Sequence, residues 1–422
     1  MSRHRRIAFV CATVVPAIAW SCGEGIFDHP PGANSLACPG AASCPPEGDA
    51  RAQGQDGDVD ANGIDGALAV SCDGQASGTW RIELVDGRGD TGRFPSVAVG
   101  ADGVHVSYYD VSTAVVRYAR RTSAGWAPVD VDLAGRPPSG EPGNVGMGTS
   151  LQLDAAGRPA IAYSDIANGH LKVARLEPGG AWALETADGA TNVGGWPSLV
   201  LDDLGAHVTY TDRANRFLKA AHRDLGGTWT SETVDDSNAS VGQQSSLAVD
   251  AAGGLHVTYS ENQAYLKYAT RPRSGAWTST RIDSLSSGLW SSLIVDRSGN
   301  LHVAGCSRFG TGDLHYAQKS GPSWPREIVE TQVDGNVGWS ASLAVDDRGE
   351  QHIVYLDKGN GDLRYAHRAT ATGAWEKTTL DAPGTPPDLG RYVAMVVDRS
   401  RILHAVYYDP RTGDLQYARR CP

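Results

Sequence analysis

Seven near-copies of one pattern fill most of this 422-residue chain. The unit reads S-L-x-V-D-x-x-G, then L-H-V-x-Y-x-D, then L-x-Y-A, then G-x-W. Its first serine falls at Ser96, Ser150, Ser198, Ser246, Ser292 and Ser342, with Ala394 in the seventh copy, at intervals of 54, 48, 48, 46, 50 and 52 residues. A period of that size holds four short antiparallel strands, the blade of a β-propeller. Within a copy, Ser246-Leu247-Ala248-Val249 and Leu255-His256-Val257-Thr258-Tyr259 alternate apolar residues as strands require. Between them an Asp caps a turn and a Gly supplies positive φ, as at Asp250 and Gly253. Leu266-Lys267-Tyr268-Ala269 makes a third strand and Trp277 opens a fourth.

The tryptophans predict how the array ends. Trp126, Trp182, Trp229, Trp277, Trp324 and Trp375 each follow a complete three-strand set, but the last set, ending at Ala418, has no Trp strand after it. Trp80–Asp86 matches the missing strand and has no set before it. The expected fold is therefore all-β: a seven-bladed propeller of four-stranded antiparallel blades over 79–422, its last blade closed by the N-terminal Trp80 strand. Such closure removes two exposed sheet edges. Cys72 and Cys421 fall in that same split blade, which predicts a disulfide between them. Cys38 and Cys44 could pair upstream, and Cys306 is left as a buried thiol in blade five.

Upstream of the repeats the chain changes character. Arg3, Arg5 and Arg6 precede the apolar run 7–20, so 1–21 reads as a secretory signal. Ala17-Ile18-Ala19 offers an ordinary cleavage site; Ala19-Trp20-Ser21-Cys22 resembles a lipobox, in which Cys22 would be lipidated. Residues 22–78 read as a flexible Gly/Pro-rich tether with nine acids and one base. The signal contributes +3 and the tether −8, so 79–422 carries only −6 of the net −11. That sign disfavours nucleic acid as a partner, and membrane contact is expected only through an anchor on Cys22. Asp58, Asp60 and Asn62 resemble half of a calcium loop, but Ala69 stands where the closing acid belongs, so an acidic linker is the simpler reading.

The segment V-D-x-x-G-x-x-H-V-x-Y-x-D resembles the NHL-type propeller repeat, with His in place of its tyrosine. More loosely, G-x-W is similar to the Asp-box turn of sialidase-like propellers, although Ser123-Ala124-Gly125-Trp126 and Ser274-Gly275-Ala276-Trp277 lack the Asp. The resemblance covers about 79–422 and implies the fold; function on such a fold lives in grafted sites.

Three residue series carry candidate chemistry. His105, His207, His256, His302, His352 and His404 share one repeat position; one imidazole per blade is a poor cage for an ion, so intra-blade hydrogen bonds to the repeated Ser or Asp are expected. Asp110, Asp165, Asp212, Glu261, Asp357 and Asp409 end second strands; they could bind sugar hydroxyls, basic peptides or Ca²⁺, act as acid and base, or cap the turns that follow. Two residues before each Ser anchor stand Phe94, Gly148, Trp196, Gln244, Trp290, Ser340 and Tyr392, with Trp339 adjacent and Arg93 and Arg391 flanking. These positions read as inter-blade loops whose aromatics either stack on sugars or proteins or plug gaps between blades. No G-x-S-x-G, H-E-x-x-H or P-loop motif is present, and no cofactor is expected.

Two readings follow. One is a monomeric, extracytoplasmic or surface-tethered binding or scaffold module that recognises a glycan or an extracytoplasmic protein through its inter-blade loop face. The other is a carbohydrate-active enzyme, a sialidase-like glycosidase or lyase, for which Arg93, Arg213, Arg308 and Arg391 would supply the cations.

Overall fold

The computed structural model describes residues 72, 74–133, 145–237, 240–282, 290–307, 312–331, 337–370, 372–382 and 392–422. The signal and tether, with Cys22, Cys38, Cys44, Asp58, Asp60 and Asn62, lie outside the described residues, as do Arg308 and Arg391. Every named element is a strand, and the strands form seven four-stranded antiparallel sheets. Blade one is Thr91–Gly100, Gly103–Asp110, Val115–Thr122 and Gly125–Asp132. Blades two to six follow in the same order over 145–188, 195–235, 241–281, 292–330 and 337–381. Blade seven takes Val393–Val397, Leu403–Asp409 and Asp414–Arg420 from the end of the chain and Trp80–Asp86 from its start.

That closing strand pairs from Trp80↔Arg420 to Asp86↔Leu415. Cys72 and Cys421 are disulfide-bonded, 5.9 Å apart at Cα, across a sequence separation of 349. Beside the bridge, Gly78 N–H donates to Cys421 O and Arg419 Nε donates to Gln75 Oε1, both at 3.0 Å. Cys306 is a buried thiol outside this bridge, its Sγ donating to Ser307 O at 3.4 Å.

Each repeated residue fastens one blade to the next. The Ser anchor accepts a hydrogen bond from the next blade's first strand: Ser96 from Leu151 N, Ser150 from Leu199 N, Ser198 from Leu247 N, Ser246 from Leu293 N, Ser292 from Leu343 N and Ser342 from Met395 N, all 2.9–3.1 Å. Blade seven has Ala394 at this position, so its seam with blade one lacks the latch. Deeper in several seams, the acid that ends the fourth strand meets a tyrosine and a cation of the following blade. Asp86 takes Tyr108 (2.7 Å) and Arg117 (3.1 Å); Asp188 takes Tyr210 (2.5 Å) and Lys219 (2.7 Å). Asp235 takes Tyr259 and Lys267, and Glu330 takes Tyr355 and Arg364. Burial alone would raise the pKa of Asp86, Asp188 and Asp235, but Arg88 with Tyr108 at Asp86, Lys219 with Tyr210 at Asp188 and Lys267 with Tyr259 at Asp235 outweigh it and hold all three below the ordinary carboxylate range. The fourth-strand tryptophans lie edge-on against tyrosines of the preceding blade: Trp80 on Tyr365, Trp126 on Tyr417, Trp182 on Tyr118, Trp324 on Tyr268 and Trp375 on Tyr316, at 5.1–5.5 Å.

Glycines permit the blades to approach this closely. Gly242 has φ +87°, and a Cβ there would lie 2.8 Å from Leu218 Cα in the preceding blade. Gly338 repeats the arrangement against Leu314.

Candidate functional site

The seven residues two positions before each Ser anchor converge on the propeller axis. Phe94, Trp196, Gln244 and Ser340 belong to the first strands of their blades rather than to loops, which corrects the sequence-based placement. The pairing register shifts there, between Arg93 and Ser96, Gly195 and Ser198, Gln243 and Ser246, and Trp339 and Ser342. Each shift marks a bulge, and the bulged residue takes left-handed backbone: φ is 52° at Phe94, 50° at Trp196, 53° at Gln244 and 51° at Ser340; Trp290, just before its blade's first strand, has φ 59° without a register shift. Non-glycine residues in that region cost about 1–3 kcal/mol each, and such strain clusters at functional sites. A bulge also re-aims a side chain. Here four bulges, and the left-handed Trp290, turn five side chains toward one point.

Side-chain size around this ring alternates. Phe94, Trp196, Trp290 and Tyr392 are large; Gly148, Gln244 and Ser340 between them are small. Seven positions cannot alternate perfectly, so two aromatics must be neighbours. They are Tyr392 and Phe94, whose ring centroids are 4.3 Å apart. The circuit continues from Phe94 to Trp196 (5.5 Å), Trp196 to Trp290 (6.1 Å) and Trp290 to Tyr392 (6.3 Å). Phe94 and Tyr392 are buried by these contacts, whereas Trp196 and Trp290 stay half-buried. The aromatics thus fill the axis and still present two indole surfaces.

The residual cavity is about 220 Å³ and is lined by all seven blades. Its polar lining includes Thr149, Gln244, Ser245, Ser291 and Ser340. Gln244 Oε1 accepts from Trp290 N–H at 2.9 Å, and Gln244 Nε2 has no protein acceptor among the described residues. Trp339 does not reach the cavity. It is buried against Cys306 and Leu356, with Lys358 Nζ 4.3 Å from its ring centre. Arg93 pairs with Asp90 at 3.0 Å and lies 5.5 Å over Tyr408. Arg213 donates to Ser164 Oγ at 3.1 Å, and burial lowers its pKa.

The second-strand acids are turn caps. Asp110 accepts from Thr113, Asp165 from Asn168, Asp212 from Asn215, and Asp357 from Asn360, at 2.7–3.2 Å. Asp409 holds Arg411 through its backbone N–H and guanidinium, and Glu261 is paired with Arg281. All six carboxylates are buried and engaged in these local contacts.

The repeated histidines bridge strands within a blade. His105, His256, His302 and His404 meet a turn Asp through Nε2 (2.8–3.2 Å) and a third-strand tyrosine through Nδ1 (2.5–2.7 Å). The tyrosine partner was not legible from the histidine series, although both recur at fixed positions. His207 lies 3.2 Å from Asp202 and stacks on His222. His352 keeps its tyrosine, at 2.8 Å, and departs from the pattern on its other nitrogen. At the opposite end of the first strands a larger cavity, about 1000 Å³, opens between the turns of blades one, two and seven. The turn carboxylates Asp102, Asp154 and Asp398 on its wall are engaged by His105, Arg158 and His404.

No family model matches the chain, and no curated protein does. Solved structures share the fold. A lectin from Burkholderia pseudomallei superposes with TM-score 0.59 at 16% identity, over 82% of this chain and 96% of that one. A polysaccharide lyase, an ulvan lyase bound to -[GlcA(1-4)Rha3S]-, superposes with TM-score 0.56 at 14% identity, over 79% and 95%. A leech intramolecular trans-sialidase reaches TM-score 0.45 at 13% identity, over 82% and 70%.

Proposed function

We propose that this protein is an exported carbohydrate-binding propeller that takes a sugar at the axial pocket. The observation that carries the reading is a ring of strained backbone: five non-glycine residues adopt left-handed φ at one repeat position and aim at a single cavity. Half-buried Trp196 and Trp290 supply faces for the apolar side of a pyranose, and Gln244 Nε2 supplies a donor for a hydroxyl. A cavity of about 220 Å³ suits one sugar residue or a chain end. The pocket lining contains no carboxylate or imidazole among the described residues, which favours binding over hydrolysis. The disulfide, the signal-like leader and the acidic tether support a site of action outside the cytoplasm, at the surface if Cys22 is lipidated. That a lectin and a polysaccharide lyase share the fold adds only that such a scaffold can present sugar sites.

The test is a glycan array with the purified mature protein, followed by calorimetry with any hit. Trp196→Ala and Trp290→Ala should each weaken binding tenfold or more while the thermal midpoint stays near that of the parent. A hit whose affinity is unchanged in the double variant would place the sugar elsewhere and overturn the reading.

A further inference from the structure

Blade six departs from its siblings at the turn between its first two strands. In blades four, five and seven, Asp250, Asp296 and Asp398 divide their carboxylates alike. Oδ1 accepts the turn's backbone N–H groups, and Oδ2 meets the histidine Nε2 at 3.0, 3.1 and 3.2 Å. Asp346 keeps the first half of this arrangement: its Oδ1 accepts from Arg348 N–H and Glu350 N–H, both at 2.9 Å. The second half is missing. His352 bonds through Nδ1 to Tyr365 Oη, and no hydrogen bond joins it to Asp346.

Glu350 brings a second carboxylate to this place, where the sibling turns carry Gly254, Asn300 and Ile402. One ligand-capable atom from each of Asp346, Glu350 and His352 lies within 4.8 Å of the others. Asp346 is 7% exposed and His352 5%. Among the described residues, Asp346 Oδ2, the Glu350 carboxylate and His352 Nε2 have no hydrogen bond or ion pair. This contrasts with the seam acids Asp86 and Asp235, which face an Arg and a Lys. Two convergent carboxylates without a cation between them repel each other.

We propose that Asp346, Glu350 and His352 form a site for one divalent transition-metal cation of the Zn²⁺ class. One imidazole and two carboxylates make a mixed nitrogen–oxygen donor set of the kind Zn²⁺ accepts, whereas Ca²⁺ seeks six to eight oxygens. The ligands of a tetrahedral Zn²⁺ are about 3.3 Å apart, given bonds of about 2.0–2.2 Å. The half-buried Glu350 side chain would have to close in to reach that spacing. With Nδ1–H donated to Tyr365 Oη, His352 presents its Nε2 lone pair to the ion, and the tyrosine becomes the outer hydrogen bond that orients the ligand. Three protein ligands leave a fourth position for water. The ion would tie Glu350 to Asp346 and His352 across the turn, doing the work of the hydrogen bond that three sibling blades make directly.

The experiment is titration of EDTA-stripped, full-length mature protein with Zn²⁺, read by calorimetry and by thermal midpoint, with Ca²⁺ as competitor. One Zn²⁺ per chain with micromolar affinity, insensitive to millimolar Ca²⁺, is expected. Glu350→Gln removes a side chain that holds nothing else, so the fold should persist while Zn²⁺ affinity falls at least tenfold. Asp347→Asn, an exposed acid in the same turn, should leave it unchanged. Cys306→Ser should also leave it unchanged, and Co²⁺ substitution should show no thiolate charge-transfer band. Absence of stoichiometric binding, or binding that survives Glu350→Gln or disappears with Cys306→Ser, overturns the proposal.

Discussion

Removing the Cys72–Cys421 bridge should cost more than any other single change at the seam. The bridge spans a sequence separation of 349, so in the chain-entropy model it removes about 20 cal/mol/K from the unfolded ensemble, roughly 6 kcal/mol at 25 °C. Native disulfides deliver less than that limit, typically about 2–5 kcal/mol. Cys421→Ser should therefore lower urea stability by about 2–5 kcal/mol, and reduction of the parent should reproduce the shift. The loss has a local signature as well. Trp80–Asp86 touches the rest of blade seven through one pairing edge, so its amides should exchange faster in the variant than those of blade four. A parent with its bridge confirmed by non-reducing peptide mapping, yet with the same urea midpoint and the same exchange at 80–86 as Cys421→Ser, would refute the reasoning.

Other expectations concern the seams and the buried titratable groups. Ala394→Ser should supply the missing latch between blades seven and one and raise stability by about 0.5–1.5 kcal/mol, whereas Ser198→Ala should lower it by a similar or larger amount; paired urea curves check both. Gly242→Ala should destabilise by a few kcal/mol, because it adds a Cβ 2.8 Å from Leu218 Cα at φ +87°. Burial lowers the pKa of His105, His207 and His302, and burial with Arg326 takes His315 to about 4. A depressed histidine contributes its full stability above the unfolded value of about 6.5 and loses it as pH falls, because only the unfolded chain takes up the proton. Thermal midpoints should therefore drop between about pH 6.5 and 4, and a flat profile there would contradict the burial of these rings. Cys22→Ser should move the protein from the membrane to the soluble fraction if the lipobox is used, which fractionation checks.

Much of this architecture was legible as periodicity. The spacing of the Ser anchors set the blade size, and the orphan Trp80 strand set both the number of blades and the mode of closure, because a propeller edge must find a partner. Cys72 and Cys421 could be paired because repeat position stands in for spatial position. The seam carboxylates were less visible. Asp86, Asp188 and Asp235 recur at fourth-strand ends, but a recurring acid at a strand end also suits a turn, and only the packed seam shows Tyr108, Tyr210 and Tyr259 donating to them.

The sequence by itself determined what each blade is, since strand alternation, turn chemistry and repeat length are local properties. Tertiary structure decided where the repeated side chains meet. Phe94, Trp196 and Trp290 read as loop aromatics along the chain, but a left-handed φ at all three, with a one-residue bulge at Phe94 and Trp196, places them on the axis, and register cannot be read from composition. In the same way His352 belongs to a uniform series on paper. Only the three-dimensional turn shows that Glu350 replaces a hydrogen bond with a second charge, because the distance between side-chain tips depends on rotamers and packing that no repeat pattern encodes.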